Sequence, residues 1–241
     1  MSGERPAFYA LARGGWRDLV SLLHPPYTAW HLSYVALGAA AAPHLHADRL
    51  GAALVAFAFA VGVSAHALDE LRGRPLQTAL NAATLKALAV AGLLAALIIG
   101  VAGILTVSAL LIPLVLAGAL LVPAYNLELA GGRFHSDVWF ALAWGAFPAF
   151  TGYFANALTV SPAGLLVSGA CYLLSVAQRR LSTPVRELRR HTTALTGEQR
   201  LDDGELLALS ADSVRAPLEG ALSALWLALV VLAVGLVIVR L

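Results

Sequence analysis

Long apolar stretches constrain this chain more than any other feature of its sequence. Hydrophobic residues make up 59% of its 241 residues and charged residues only 12%, where a soluble domain carries about 25% charged residues. Seven apolar stretches lie near the roughly 20 residues that a helix needs to cross a bilayer, at 27–42, 50–70, 83–100, 104–124, 137–157, 161–177 and 216–239. The sequence therefore predicts an all-α fold, a polytopic membrane helix bundle of about seven spans.

The predicted bundle forms a single membrane domain over residues 1–241. Residues 6–23 mix apolar side chains with Arg13, Arg17 and Asp18, which predicts an amphipathic helix lying on the membrane surface. We expect a cytoplasmic interfacial helix, six spans, a cytoplasmic loop and a seventh span, at 1–24, 25–178, 179–215 and 216–241. The single cysteine, Cys171, excludes an intrachain disulfide. The first residues contain no apolar signal-peptide core, so we expect no cleaved leader.

Basic residues predict the orientation of the bundle. Of the 16 lysines and arginines, all but Arg49 and Arg240 fall in the N-terminal segment or in the regions after the second, fourth and sixth spans. Because loops rich in these residues stay in the cytoplasm, we expect a multi-pass protein of the plasma (inner) membrane with its N-terminus inside and its C-terminus outside. The net charge of +2 is confined to a few loops and indicates no nucleic-acid partner.

The end of the second span carries the first candidate site. His66, Asp69 and Glu70 stand at positions i, i+3 and i+4, which would share one face of a helix. Carboxylates at the C-terminus of a spanning helix are disfavoured by the helix dipole and by the membrane. Positive charge should therefore compensate them, supplied by Arg72 and Arg74, by a metal ion, or by both.

Two further polar segments follow the fourth and sixth spans on the same side of the membrane, at 125–137 and 178–191. Carboxylate oxygens suit Mg²⁺, which typically bridges them to the phosphates of a substrate. Arginines from a neighbouring segment would clamp the remaining phosphate oxygens. The alternative for the arginine-rich segment is an ordinary positive-inside loop in contact with anionic lipid headgroups.

The order of these segments resembles the UbiA superfamily of intramembrane prenyltransferases. Arg74-Pro75-Leu76 matches the turn that follows the first Asp-rich motif of that family, Asp69 falls on the second aspartate of the motif, and His66 replaces the first. The end of the fourth span, the segment after the sixth and the stretch before the first are also similar, at 125–129, 182–186 and 23–26. The resemblance covers most of residues 20–190.

This resemblance implies a helical bundle whose cytoplasmic face binds an isoprenyl diphosphate through Mg²⁺ and transfers the prenyl group to a lipophilic acceptor. It implies that Asp69 and Glu70 are catalytic and that, together with His66, they hold the metal. It also implies a set of residues that bind the substrate: Arg72, Arg74, Tyr125, Asn126, Arg179, Arg180 and Arg186.

The chain departs from the family pattern in its acidic residues. Gly73 stands near the third aspartate of the first motif, and Gln178, Arg179 and Arg180 stand where the second Asp motif belongs. The family also has nine spans rather than seven. Replacement ligands could come from the Asp-Asp-Gly-Glu run at 202–205, although such a run is more typical of a turn and a helix start.

Other functions stay open on the sequence alone. The chain could be a non-catalytic relative that binds or carries a polyprenyl lipid. His31 and His66 lie about one turn inside the cytoplasmic face of adjacent spans and could instead ligate a haem. Aromatic residues of the fifth span, between Trp139 and Phe154, could line a cleft for an isoprenyl tail, although packing explains most such residues.

Overall fold

A computed structural model describes residues 6–241, which form helices and one β-hairpin. The helices are α1 (Trp16–Leu22), α2 (Pro25–Ala40), α3 (Ala47–Gly73), α4 (Ala82–Thr106), α5 (Ala109–Asn126), α6 (Asp137–Ala157), α7 (Pro162–Arg190) and α8 (Ala211–Arg240). The hairpin pairs β1 (Thr196–Arg200) with β2 (Leu206–Ser210) in antiparallel register, with Thr196 opposite Ser210.

Five of these helices are long and apolar enough to cross a membrane, namely α3, α4, α5, α6 and α8. Helix α2 has only 16 residues, fewer than the roughly 20 that a bilayer requires. Helix α7 has 29 residues, but its second half is rich in arginine. The structure therefore supports a helical membrane protein, while the count of seven spans stays a prediction.

Helix α2 lies at the centre of the bundle, where it packs against α6 and α8. Its side chains Trp30 and Tyr34 are fully buried, and the Trp30 indole donates a hydrogen bond to the Tyr34 hydroxyl. Gly38 permits the approach of α6, because a Cβ at this position would lie 1.8 Å from the carbonyl oxygen of Ala149. Small residues therefore bring the backbones of α2 and α6 into direct contact, as in many membrane bundles.

Polar residues mark where several helices begin. The side chains of Asn81, Ser136, Ser161 and Ser210 each accept a hydrogen bond from a backbone N–H in the first turn of the helix that follows. These bonds satisfy amide groups that have no partner within the helix. Two helices also contain a π-helical stretch, Ala58–Ala65 in α3 and Leu142–Ala146 in α6.

The basic residues of the sequence separate toward the two ends of the bundle. We call one end the arginine-rich end; it comprises the C-terminal ends of α3 and α5 and residues 178–190 of α7. At the opposite end, the Arg240 guanidinium at the end of α8 donates hydrogen bonds to the carbonyls of Ala42 and Pro43, which follow α2. The candidate site lies at the arginine-rich end.

The N-terminal segment differs from the predicted surface helix. Only Trp16–Leu22 is helical, and residues 6–15 have an irregular conformation. Gly14 and Gly15 have φ angles of 118° and 61°, which break the helix and favour glycine. Part of the predicted 1–24 element, residues 1–5, lies outside the described residues. The physical reason for the difference is tertiary, because residues 6–9 line a cavity of the bundle.

The predicted loop at 179–215 also differs from the structure. Helix α7 continues without interruption through Pro184 to Arg190, and α8 begins at Ala211. The intervening residues form the hairpin, in which Asp202 and Asp203 occupy the exposed turn. The Asp-Asp-Gly-Glu run is therefore a hairpin turn followed by a strand, and not the start of a helix.

Candidate functional site

A polar cavity of about 330 Å³ lies at the arginine-rich end, enclosed by α2, α3, α6, α7, the end of α5 and the N-terminal residues 6–9. We call it the polar cavity. Four arginines of α7 line one wall: Arg179, Arg186, Arg189 and Arg190. Arg186 follows Arg179 by about two helical turns, and Arg189 and Arg190 follow Arg179 by about three, so the uninterrupted helix presents all four on one side. The sequence predicted Arg179 and Arg186 at the site but not Arg189 or Arg190.

The four arginines differ in their partners. Arg179 donates a 2.8 Å hydrogen bond to Asp137, and Arg189 pairs through two nitrogens with Glu219 of α8. Arg186 bonds to the hydroxyl of Thr183, and Arg190 donates to the carbonyl of Pro6 over a long 3.3 Å. Within residues 6–241, Arg186 and Arg190 form no salt bridge, so this wall carries uncompensated positive charge.

Asp69 is the sole acidic residue among the described residues that line the polar cavity. Its carboxylate interacts electrostatically with Arg190, His135 and Arg186, although none of these groups is close enough to form a salt bridge. The lining therefore has one carboxylate facing several cations. Such an imbalance favours an anionic ligand, because a low-dielectric pocket strengthens each attraction.

Glu70 does not reach the polar cavity. Its carboxylate is fully buried and accepts hydrogen bonds from the backbone N–H groups of Leu76 and Thr78, at 3.0 and 2.8 Å, and from the Thr78 hydroxyl at 2.9 Å. These bonds close the loop that follows α3. Asp69 and Glu70 therefore do not share one site as expected, because the Glu70 carboxylate binds the backbone of residues 76–78.

Arg72, Arg74 and Arg180 also lie outside the polar cavity. Arg72 pairs with Glu128 at 2.8 Å, and Arg74 ends α3 in a left-handed conformation with its guanidinium on the carbonyl of Leu80. Arg180 is exposed on the opposite side of α7 from the cavity-lining arginines. Neither Arg72 nor Arg74 pairs with Asp69 or Glu70, so the two arginines do not compensate the two acids as predicted.

Tyr125 and Asn126, at the end of α5, are both buried and both line the polar cavity as expected. The Asn126 amide donates to the carbonyl of Val122, which fixes its orientation. The Tyr125 ring lies 4.6 Å from the ring of His135 and 5.6 Å from that of Trp144, measured between centroids. These contacts join α5, the loop after it and α6 into one wall.

Histidines form the third part of the lining. His31, His66 and His135 each have Nδ1 within hydrogen-bond distance of a backbone carbonyl, at 2.7, 3.3 and 3.1 Å. Because a carbonyl can only accept, Nδ1 is the donor in the bonds of His31 and His135, and the His66 ring also lies within hydrogen-bonding reach of the Leu23 carbonyl. The carbonyls that bind His31 and His66 belong to Trp144 and Gly62, which lie in the two π-helical stretches, and such stretches often occur at functional sites.

Two buried polar atoms of the lining have no partner among the described residues. These are Nε2 of His24 and Oε1 of Gln178, whose residues are 8% and 5% exposed. A buried polar atom without a hydrogen bond typically destabilises a fold by about 1–3 kcal/mol. Burial, with smaller contributions from His66 and Arg190, lowers the pKa of His24, so this ring is neutral. A polar ligand in the cavity would supply the missing partners.

A second cavity of about 160 Å³ shares part of its lining with the polar cavity. We call it the apolar cavity. Val61 and Trp144 line both cavities, and the other walls are mainly aliphatic side chains of α3, α4 and α5 together with Phe147 of α6. Of the aromatic residues expected to line a cleft, Phe140 lines the polar cavity, Phe147 the apolar one and Trp144 both, whereas the others line neither: Trp139, Phe150, Tyr153 and Phe154.

Few of the ligands expected for Mg²⁺ meet in the lining. Among residues 6–241, no three His, Cys, Asp or Glu side chains are grouped so that they could hold a metal ion. Of the expected ligands, only His66 and Asp69 line the cavity, and magnesium prefers oxygen ligands to an imidazole nitrogen. The exposed Asp202 and Asp203 do not line it either. Arginine is therefore the main cationic group available to bind phosphate.

The sequence prediction did not include Tyr9, His24 or Tyr27, and it placed Gln178, Arg189 and Arg190 in the polar segment 178–191 without giving them a role. Arg189 and Arg190 could have been found from the heptad-like spacing of arginines, had α7 been predicted to continue beyond residue 178. Tyr9 and His24 gave no such signal, because a long-range fold brings them to the cavity. His31 also lines the cavity, whereas the sequence suggests it only as a haem ligand, a role that stays a prediction.

Comparison with known proteins adds no identification. No family model matches the chain, and no match is found among curated proteins or solved structures.

Proposed function

We propose that this chain is an integral membrane protein that binds an isoprenyl diphosphate at the cytoplasmic face of the plasma (inner) membrane. The observation that carries the proposal is that Val61 and Trp144 line both the polar and the apolar cavity, which makes the two cavities neighbours. The diphosphate would occupy the polar cavity and the isoprenyl chain the apolar cavity. A ligand with this division of polarity would bury its tail among aliphatic side chains while keeping its charges near arginine.

The orientation rests on the distribution of basic residues. The arginine-rich end would face the cytoplasm, because loops with many arginines are retained on that side. Arg49 and Arg240 would lie at the outer surface. In this orientation the polar cavity would open toward the compartment where soluble phosphorylated metabolites occur, and the lipid tail would be accepted within the bilayer.

Arg186 and Arg190 are the proposed ligands of the diphosphate. Their guanidinium groups present planar pairs of N–H donors that match phosphate oxygens, and neither is engaged by a carboxylate within the described residues. Asp69 would orient the two arginines from the opposite wall. Because Asp69 is the one expected oxygen ligand of Mg²⁺ in the described lining, we propose that binding depends on arginine rather than on Mg²⁺, in contrast to the UbiA-like pattern that the sequence resembles.

Two activities would follow from such binding. Transfer of the prenyl group to a lipophilic acceptor is one, with Asp69 as the remaining acidic candidate. A non-catalytic carrier of a polyprenyl lipid is the other, and the single carboxylate of the cavity lining favours it. Turnover of labelled geranylgeranyl diphosphate in the presence of membrane lipids separates them, since a carrier would retain the ligand unchanged.

The binding proposal is tested by titrating geranylgeranyl diphosphate and its uncharged alcohol into the purified full-length protein. We expect the diphosphate to bind more tightly than the alcohol, and EDTA to leave its affinity unchanged. Arg186→Ala and Arg190→Ala should each weaken diphosphate binding by about 10- to 100-fold, corresponding to roughly 1.5–3 kcal/mol for a charge-assisted contact. The control is Arg180→Ala, because Arg180 lies six residues from Arg186 on the same helix but outside the cavity.

Equal binding of the diphosphate and the alcohol would exclude a diphosphate site. Loss of binding in EDTA, restored by Mg²⁺, would show that metal and not arginine holds the headgroup. An effect of Arg180→Ala as large as that of Arg186→Ala would mean that general surface charge, and not the cavity, attracts the ligand.

A further inference from the structure

Residues 6–13 form an irregular segment at the arginine-rich end, and part of this segment lines the polar cavity. Four of them, Pro6, Ala7, Phe8 and Tyr9, line the cavity directly, although they belong to no helix or strand. We call residues 6–13 the strap. The rest of the lining comes from helices of the bundle and the loops that connect them. The strap is therefore the part of the cavity wall that can move without disturbing the bundle.

The strap is held by contacts of its side chains and backbone, because it belongs to no helix or strand. The Tyr9 hydroxyl and Nδ1 of His24 share a 2.6 Å hydrogen bond, the Tyr9 ring meets the Tyr27 ring edge-on, and the carbonyl of Pro6 accepts the 3.3 Å bond from Arg190. The backbone N–H of Leu11 donates a 2.9 Å hydrogen bond to the Ser21 hydroxyl, and Ala7 and Ala10 pack against Leu76 in a small apolar cluster that is separate from the main core. Opening the strap would break these contacts but no hydrogen bond within the helices of the bundle, and such local opening requires less free energy than unfolding of the core.

A hinge separates the strap from the helix that anchors it. Gly14 and Gly15 both have positive φ angles, and a Cβ built on either would meet no neighbouring atom. Their conformations are therefore set by the backbone and not by crowding. Immediately after them, α1 is fixed to the bundle, because buried Asp18 accepts a hydrogen bond from the backbone N–H of Ala79.

An anion in the polar cavity would compete with the strap for Arg190. The bond from Arg190 to the Pro6 carbonyl is long and its acceptor is neutral, whereas a phosphate oxygen would offer a charged acceptor. Occupation of Arg190 by phosphate would remove one of the contacts that keep the strap closed. Binding of an anion and opening of the strap are then coupled, and each favours the other.

We propose that the strap is a lid that closes the polar cavity and swings about Gly14–Gly15 to admit a phosphate-bearing ligand from the aqueous side. The contact between Tyr9 and His24 is its latch. The lid controls access to the cavity whether or not the ligand is an isoprenyl diphosphate.

The test measures access to the cavity without any ligand. Ser182 lines the polar cavity and is 4% exposed, while the native Cys171 is 1% exposed and buried. The substitution Ser182→Cys introduces a thiol as the reporter. We would measure the rate at which this thiol reacts with a charged, membrane-impermeant methanethiosulfonate in the full-length protein. Wild type, which carries only Cys171, gives the background. Thr193→Cys, at an exposed position, gives the rate of an unprotected thiol.

Variants that loosen the strap should expose the reporter. Tyr9→Phe removes the hydroxyl of the latch, and Gly14→Ala disfavours the positive φ of the closed hinge. Each should raise the labelling rate of Ser182→Cys by about fivefold, which corresponds to roughly 1 kcal/mol in the free energy of opening. The control Gly220→Ala, at a helical position with ordinary φ and open space, should leave the rate unchanged.

Deletion of residues 2–13 sets the upper limit of the labelling rate. If the reporter reacts no faster in this deletion than with the strap intact, the strap is not the barrier and the proposal is wrong. If Tyr9→Phe and Gly14→Ala also accelerate unfolding of the bundle, their labelling reflects general loosening. The melting temperature of each variant distinguishes opening of the strap from loosening of the whole bundle. It stays unchanged if only the strap moves.

Discussion

Asp69 and Glu70 are neighbours in the sequence, but only Asp69 faces the polar cavity, while Glu70 is fully buried against the backbone of residues 76–78. Successive residues of a helix point about 100° apart, so the last turns of α3 direct one carboxylate into each environment. The two acids therefore have separate tasks. Asp69 contributes charge to the cavity, and Glu70 stabilises the turn that leads from α3 to α4.

Exchanging Glu70 for glutamine should destabilise the protein. The amide retains one acceptor oxygen but places an NH₂ group opposite a backbone N–H donor, so at least one charge-assisted bond is lost. We expect Glu70→Gln to lower the free energy of unfolding by about 2–4 kcal/mol, seen as a lower melting temperature in detergent. Asp69→Asn is the matched control and should change the melting temperature little. A Glu70→Gln protein as stable as wild type would refute the structural role of this carboxylate.

Filling the apolar cavity should discriminate between ligands of different chain length. Gly118 of α5 lines this cavity, and a Cβ at Gly118 would meet the Phe147 ring at 3.6 Å, an ordinary contact distance. Leucine at this position would extend into the space proposed for the isoprenyl tail. We expect Gly118→Leu to weaken binding of geranylgeranyl diphosphate by about tenfold, the equivalent of one or two buried methylene groups, and to weaken binding of dimethylallyl diphosphate much less.

The control for this change is Gly169→Leu in α7, which adds the same side chain where a Cβ would have no neighbour. Gly169→Leu should leave the affinities for geranylgeranyl diphosphate and dimethylallyl diphosphate unchanged. Equal weakening of the long and short diphosphates by Gly118→Leu would place the tail elsewhere.

The stability of the protein should decrease as the pH falls below about 6.5. Burial lowers the pKa of His24, aided by the nearby His66 and Arg190, and its other charged or titratable neighbours are Tyr9 of the strap and Tyr27 of α2. Below the ordinary histidine pKa of about 6.5, the unfolded chain binds a proton that the folded chain does not. This difference removes at most about 1.4 kcal/mol of stability per pH unit.

Thermal melting of wild type and His24→Gln between pH 7.5 and 5 tests this origin. We expect the variant to be less stable than wild type at pH 7.5 but to lose less stability on acidification. Parallel pH profiles of the two proteins would mean that His24 does not contribute to the acid sensitivity.

A reporter at each end of α8 should establish its direction across the membrane. The hairpin turn at Gly204 is exposed and precedes α8, so an insertion there should be tolerated. Because of the many arginines nearby, we expect an alkaline-phosphatase reporter inserted at Gly204 to be inactive and one fused after Leu241 to be active. The reverse pattern would place the polar cavity on the outer side of the membrane.

The apolar stretches alone determined that this chain forms long helices suited to a membrane. Their lengths and composition leave the backbone no partner in lipid other than its own hydrogen bonds, so the prediction of helices at 50–70, 83–100, 104–124, 137–157 and 216–239 agrees closely with α3–α6 and α8. The three polar segments predicted on one side of the membrane, together with the residues that the family resemblance implies, include Asp69, Tyr125, Asn126, Arg179 and Arg186, which line one cavity.

Only the tertiary structure decided which polar residues share that cavity. The fold decides that Tyr9 and His24 line the cavity and that Arg72 pairs instead with the distant Glu128. Glu70 and Arg74 are kept out of the cavity by contacts with nearby residues of the loop that follows α3. Sequence spacing gives the direction of a side chain relative to its own helix, but not the rotation of that helix against its neighbours. That rotation follows from packing, here from the close backbone contact of α2 with α6 at Gly38, and no local pattern of residues encodes it.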